Sequence, residues 1–389
     1  MPVLSRGGGH GAPAAAGDRP GLRPARAIVR DHRRGAAGDR HAARDRSPEG
    51  KTLCRLPVAA APIASFAAHE ETLAGERVSL GYVFFGTPEF AVSVLDVLAA
   101  AGRAPLALVC QPDRPRGRGL SLEPPPVKIW AEAHRLPLLQ PERAGDESFL
   151  RAMEELQADL ALVAAYGLLL PPRLLGIPRL GFINVHPSLL PRYRGAAPVQ
   201  WTLLNGDTVT GVTILKVTPR LDDGDILLQR ETPVGPEENA AELLSRLALL
   251  GGELSREAME QMERGSIQPV PQDESRVVWA RALEKDDGRI DWTRPAEAIH
   301  NQVRAVQPWP GAFCQLNGRR LKIHRTRPED AGERRGAPGE ILELDPAGIR
   351  IMTGGGCLRL LELQLEGKKR LSAREFILGR NLTAGDRLE

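Results

Sequence analysis

Asn184 and His186 stand two residues apart in the segment Asn184-Val185-His186-Pro187-Ser188-Leu189-Leu190-Pro191, at the end of an apolar run. Side chains two apart on a strand leave it on the same face, so the amide and the imidazole reach one place together. An amide donor beside an imidazole can hold a carbonyl and stabilise the oxyanion that develops when it is attacked. A histidine that merely caps a strand and bonds a backbone carbonyl fits the same residues. The asparagine beside it and the rigid Ser-Leu-Leu-Pro turn after it favour chemistry. Further on, Leu221-Asp222-Asp223-Gly224-Asp225 puts three acids in a glycine-containing turn. Asp and Gly are what turns prefer anyway, and the EF-hand spacing with its closing Glu is absent. The catalytic alternative has one Asp orienting His186 and managing its proton. A third cluster sets Arg114, Arg116 and Arg118 among Gly and Pro in residues 112–119. It reads either as a solvated surface loop or as a loop that grips phosphates.

Other motifs are missing. Gly86-Thr87-Pro88 is neither a dinucleotide fingerprint nor a P-loop. Ser188 lacks the G-x-S-x-G elbow of serine hydrolases. The histidines show no metal-ligand spacing, so no metal is expected. Cys54, Cys110, Cys314 and Cys357 lie far apart with no C-x-x-C pair, which fits reduced thiols in a cytoplasm.

Such groups need a frame to bring them together. The apolar run Leu80–Phe85 predicts a buried strand, with Thr87 as N-cap and Pro88 as first residue of a helix to Ala101. Strands follow at 106–110, 158–165 and 181–185, with a helix at 127–134 between the first two. Strands alternating with helices predict a parallel sheet covered on both faces, whose strand ends form the crevice where ligands bind. A long amphipathic helix is predicted over Ala240–Glu263, followed by a Pro-containing linker. Beyond about residue 284, short apolar runs alternate with Gly, Pro and Asn turns. That texture predicts a small barrel of about five strands, close to an oligonucleotide/oligosaccharide-binding (OB) fold.

Hydrophobic residues make up 42% and charged residues 26% of the 389, which excludes a wholly disordered or fibrous chain. The longest apolar stretch, Leu56–Ala68, is too short for a membrane span and carries two prolines. The net charge of +3 is uneven: residues 1–79 carry +5, residues 80–283 carry −5 and residues 284–389 carry +3. Arg, Ala and Gly make up 32 of the first 60 residues, too few large apolar side chains to offset the entropy of ordering them. Disorder is expected there. An organellar presequence is opposed by Asp18, Asp31, Asp39, Asp45 and Glu49. An RNA-binding arm is a second reading. The favoured one is a mis-assigned start: after Met1 there is no Met before Met153, and translation could begin at a non-ATG codon near Val78 or Leu80.

The chain resembles the methionyl-tRNA formyltransferases from about Tyr82 to its end. FFGTPEFA (84–91), QPDRPRGRG (111–119), PPVK (125–128), AYGLLLP (165–171), INVHPSLLPRYRGAAPVQ (183–200), TGVTI (210–214), LDDGDIL (221–227), RIDW (289–292) and QPWPGA (307–312) carry the resemblance. It implies an α/β fold: a Rossmann-like formyltransferase domain (80–268), a linker (269–283) and a C-terminal OB-like, tRNA-binding β-barrel domain (284–389), after a disordered extension (1–79). It implies Asn184, His186 and Asp222 as catalytic residues and Ser188, Leu189, Leu190 and Pro191 as folate contacts. Arg118 matches the loop arginine that similar enzymes use on the tRNA acceptor end, with Arg114 and Arg116 beside it. Lys322, Lys368 and Lys369 are further candidates for tRNA contact. The implied formyl donor is 10-formyltetrahydrofolate and the acceptor methionyl initiator tRNA, for a cytoplasmic monomer. Leu120-Ser121 stand where a pair of lysines is frequent, Pro187 where Gly or Ala is, and Arg220 where Gly is. None of these removes a catalytic group. The alternative is a formyltransferase or hydrolase of the same donor that acts on a small amine or water.

Overall fold

A computed structural model describes residues 79–116, 121–332, 335–379 and 382–389. The expectations for residues 1–78, and that for Arg118, lie outside the described residues.

Continuous apolar runs become strands buried at every position. The first are β1 (Tyr82–Gly86), followed by α1 (Glu89–Ala100), and β2 (Ala107–Val109). A short ribbon of β3 (Arg114–Arg116) and β4 (Ser121–Glu123) comes next, then α2 (Pro126–His134) and β5 (Leu138–Leu139). The chain continues through α3 (Glu147–Glu155), β6 (Leu160–Ala164), α4 (Pro172–Leu175) and β7 (Phe182–His186). After these come β8 (Arg192–Gly195), α5 (Pro198–Leu204), β9 (Val209–Lys216), β10 (Ile226–Pro233) and α6 (Ala240–Glu263).

Seven strands form one sheet in the order β10-β9-β7-β6-β1-β2-β5. From β5 to β7 neighbours run parallel. The sheet is nevertheless mixed and not purely parallel, because β9 is antiparallel to β7 and β10 to β9. Only residues 217–225 join β9 to β10, with no helix to make a crossover, and a parallel return needs one. Alternate side chains of β1 enter two cores. Tyr82 and Phe84 pack with α1 and α6, whereas Val83 and Phe85 pack with Phe149, Met153 and Tyr166.

The first helix is not capped as predicted. Its N-cap is Pro88 and no side chain caps it. The Thr87 hydroxyl instead donates to Tyr166 O at 3.0 Å and accepts from Gln111 N at 3.4 Å, so it ties together two loops beyond the sheet. Helix α6 has the predicted limits. Asn239 accepts from the amides of Ala241 and Glu242, and Glu242 reaches back to Asn239 N at 3.0 Å, a reciprocal cap. Gly251 lets this helix press on β7: a Cβ there would lie 2.6 Å from Val185 Cγ1.

The predicted linker is not a free tether. Val270 exchanges two 2.8 Å backbone bonds with Ile226, and β11 (Val278–Ala280) pairs in parallel with β8. Then come α7 (Ala296–Ala305), β12 (Ala312–Leu316), β13 (Arg319–Glu329), β14 (Ile341–Asp345) and β15 (Gly348–Met352). The chain ends with β16 (Cys357–Leu365), β17 (Leu371–Ser372) and α8 (Ala373–Leu378). This C-terminal β-rich domain is an antiparallel sheet, β12-β13-β16-β15-β14, with β17 beside β16. Leu388 bridges to Leu316 and Arg387 to Glu340, so the last residues join the sheet's two edges. Helix α7 packs on α5 of the first domain. No helix among the described residues is long and apolar enough to cross a membrane.

Candidate active site

Strand β7 delivers Asn184 and His186. Ile183 and Val185 belong to the core under α6, so Asn184 and His186 project from the other face. Asn184 is half-buried, and among the described residues its amide has no hydrogen-bond partner. His186 is 4% exposed. Its Nε2 lies 2.9 Å from Tyr193 O. A carbonyl only accepts, so Nε2 donates and Nδ1 is left for other work. Nδ1 faces Asp222 Oδ2 at 3.8 Å.

Tyr193 is held hard to serve that bond. It adopts φ 66°, an uncommon region for a bulky residue. Its phenol donates to Asp207 Oδ2 at 2.5 Å and accepts from Asn205 Nδ2 at 2.9 Å. Asp222, at φ 52°, accepts from Gly195 N at 2.9 Å. A Cβ on Gly195 would stand 2.6 Å from Ala280 O, and its φ of 123° also favours glycine. Asp223, its neighbour, is occupied by Thr218 Oγ1. The structure therefore sets Asp222 opposite His186, with Asn184 on the same face of β7.

The Ser188–Pro191 turn is internally satisfied. Ser188 is fully buried, with its hydroxyl donating to Arg192 O at 2.8 Å. Thr213 Oγ1 donates to Ser188 O at 2.6 Å and accepts from Leu190 N at 3.1 Å. Gln229 Nε2 closes the set on Leu190 O and Thr213 Oγ1. Leu190 and Pro191 are buried, and Leu189 is half-buried.

The 165–171 loop is fixed from below. Tyr166 O accepts from Thr87 Oγ1 and from Gln111 Nε2 at 2.8 Å. Burial pushes the Tyr166 phenol up to about 12, so it stays neutral against Phe85, 5.3 Å away edge-on. Beyond the loop lies an open cleft of about 510 Å³, walled by residues 168–172 and Pro219 on one side and by Glu142, Arg143, Ala144 and Gly145 on the other.

The expected cationic positions are dispersed. Arg114 is exposed in the β3–β4 ribbon, whose root is tied by Lys128 and Gln140 to Asp113. Those bonds, Lys128 first, hold the Asp113 carboxyl below its usual range. Arg116 lies in β3. Lys322, Lys368 and Lys369 are exposed on the C-terminal domain. Lys322 sits opposite Gln364, whose amide donates to Lys368 O. Arg325 and Arg370 nearby are paired with Glu362.

Residues 81–259 match the formyl transferase family and residues 282–381 match its C-terminal domain. The chain belongs to the formyl transferase family. The methionyl-tRNA formyltransferase of Citrifermentans bemidjiense is 47% identical to it over 303 residues, 78% of this chain and 94% of the relative. That of Geobacter metallireducens is 45% identical over 309 residues, 79% of this chain and 98% of the relative. Among solved structures, HypX from Aquifex aeolicus in complex with tetrahydrofolic acid has a TM-score of 0.53 at 19% identity. The match covers 77% of this formyl transferase but only 47% of HypX, so the chain spans about half of that protein's length. WlaRD, a sugar 3N-formyl transferase, has a TM-score of 0.55 at 16% identity, over 75% of this chain and 99% of WlaRD. At such identities the likeness is one of fold.

The formyl transferase site also contains residues whose roles the sequence reading did not name. Tyr193, Asp207 and Thr213 are three. Gln272, Arg194 and Glu274 are three more, which meet at the Asp222 turn. Thr213 lies within TGVTI, and Tyr193 and Arg194 lie within the long motif after β7, so position was visible there and role was not. Gln272 sits between two prolines and the acids Asp273 and Glu274, with no periodicity to betray it.

Proposed function

We propose that this formyl transferase moves the formyl group of 10-formyltetrahydrofolate to the α-amine of methionine on initiator tRNA. The observation that carries the chemistry is the convergence of Asn184, His186 Nδ1 and Asp222 at one strand end. The acceptor is argued from the relatives of 45–47% identity, all named methionyl-tRNA formyltransferase, over nearly their whole length.

The α-amine attacks as the free base, which is available because such amines titrate at about 7.7–8.0. Its nitrogen bonds to the formyl carbon and the carbonyl electrons move to oxygen. Asn184 donates to that oxyanion from one side. His186, its ring fixed by the Nε2–H bond to Tyr193 O, presents Nδ1 to the reacting group beside the Asp222 carboxylate. Asp222 takes the proton of the attacking nitrogen and passes it towards N10 as the C–N10 bond breaks. The products are the formylated aminoacyl ester and tetrahydrofolate. The apolar wall Leu168–Pro172 of the open cleft suits the aryl part of the folate. Residues 284–389, with exposed Lys322, Lys368 and Lys369, and the ribbon carrying Arg114 and Arg116, would meet the tRNA backbone, and Arg118 joins them as a candidate from its sequence motif alone. Such binding weakens as salt rises.

The test offers the protein 10-formyltetrahydrofolate with methionyl initiator tRNA, methionyl elongator tRNA or no acceptor, and follows formyl on the aminoacyl bond beside folate release. Formylation of the initiator alone, lost in Asp222→Asn, is expected. Folate release without tRNA formylation would move the enzyme to a hydrolase or a small-amine acceptor.

A further inference from the structure

The carboxylate of Asp222 rests on a turn that does not hold itself. Its φ of 52° is a conformation that costs about 1–3 kcal/mol in a non-glycine residue and persists where surrounding structure imposes it. Two things do. Gly224 presses on the neighbouring strand end, where a Cβ would come within 1.9 Å of Lys216 O. Gln272, from the segment that leaves the first domain for the second, supplies the rest. Its Nε2 donates to Asp222 O at 2.8 Å and to Gly224 O at 2.7 Å. Its Oε1 accepts from Arg194 Nε at 3.0 Å. Arg194 is 3% exposed, and its remaining guanidinium nitrogens grip Glu274 at 3.2 and 2.8 Å. The residue after Arg194 is Gly195, whose N–H holds the Asp222 carboxylate itself. One amide thus touches both supports of the carboxylate: the backbone it grows from and, through Arg194, the strand that donates to it.

We propose that Gln272 is a positioning residue for Asp222, which makes the domain-crossing segment part of the catalytic apparatus. The inference rests on the formyl-transfer reading, with Asp222 as proton carrier. Gln272 touches no reacting atom, and its whole effect passes through Asp222. Gln272→Glu decides whether the donors matter, because it keeps the side chain's length and its acceptor for Arg194 but sets an oxygen against two carbonyls.

The experiment measures kcat and KM of the full chain as wild type, Gln272→Glu, Gln272→Ala, Asp222→Asn and the double variant Gln272→Ala/Asp222→Asn, with thermal midpoints. Gln272→Glu and Gln272→Ala are expected to lower kcat about 10–100-fold, the scale of a displacement of about an ångström. KM for donor and acceptor should stay within about threefold, as for an interaction that matters only in the transition state. In the Asp222→Asn background the further loss from Gln272→Ala should shrink to about threefold or less, because coupled residues are not additive. Wild-type kcat in Gln272→Glu would overturn the inference. So would an undiminished loss in the Asp222→Asn background, which would mean a structural role apart from Asp222. No transfer by the unaltered enzyme would instead overturn the reaction assignment, and the inference with it.

Discussion

Two turns meet at the candidate site and are built in opposite ways. The turn after β7, residues 187–191, is satisfied by its own sheet: Thr213 on β9 and Gln229 on β10 complete its hydrogen bonds. The Asp222 turn is held by Gln272, a residue 50 positions later in the chain on the way into the other domain. The first side of the site is therefore as rigid as the sheet. The second is as well placed as the crossing segment allows. An oxyanion hole gains from being pre-formed and fixed, whereas a group that collects and returns a proton must come into line at the right moment.

Removing the chemistry itself has the largest expected effect and sharpens this division of labour. Asp222→Asn removes the proton carrier and should lower kcat by about 10²–10⁴-fold. Asn184→Ala removes one oxyanion donor and should cost about 10²–10³-fold. Both should leave KM for the folate donor near wild type, measured by steady-state kinetics. A KM effect as large as the kcat effect would turn these residues into substrate binders and erase the distinction between the two turns.

Thr213→Val attacks the self-contained turn. Without the hydroxyl, buried Leu190 N and Ser188 O lose a partner together, and each orphaned buried group costs about 1–3 kcal/mol. We expect chemical denaturation to show a loss of about 2–6 kcal/mol from those two groups. Stability, not only activity, should suffer. A fully stable but inactive Thr213→Val would show that the turn is held elsewhere.

The same contrast governs what the sequence discloses. Asn184 and His186 are legible because strand alternation and an apolar run are local signals, and the limits of α6 follow from an equally local cap at Asn239. Spacing alone shows Asp222 only as one of three acids, and it is the resemblance that singles it out; its contacts, Gly195 N and His186 Nδ1, are both distant in the chain. Thr87 misleads as an N-cap because a hydroxyl beside a helix start has the right chemistry for a cap, and a tertiary contact with Tyr166 O takes it. The reversal of β9 and β10 is missed because a parallel pattern in the first strands does not constrain the later ones. The role of Gln272 has no local signature at all.

Gly251→Ala tests whether the sheet side is rigid from beneath as well. A Cβ there meets Val185 Cγ1 at 2.6 Å, between the two residues that project into the site. Overpacking of this kind costs about 1–3 kcal/mol, and it should lower the thermal midpoint and kcat together as β7 is pushed. If the midpoint falls while kcat holds, α6 yields and β7 does not, which strengthens the case that the sheet fixes Asn184 and His186.

The smallest effect should come from the seam between the domains at α7. His300 on α7 is buried, with Nδ1 on Thr326 Oγ1 at 2.9 Å and Nε2 on Pro236 O at 3.2 Å. Burial, aided by the Arg304 charge, holds its pKa below the usual 6.5. Below pH 6.5 the unfolded chain therefore takes up a proton that folded His300 resists. Linkage then makes stability fall as pH falls, by at most about 1.4 kcal/mol per pH unit for one group. His324, also held low chiefly by burial, slopes the same way. Thermal midpoints measured between pH 7.5 and 5.5 should decline on the acid side, and His300→Gln should flatten part of that decline. If His300→Gln leaves the slope unchanged, the seam does not titrate through His300. The acid-side decline would then come from other groups, His324 among them.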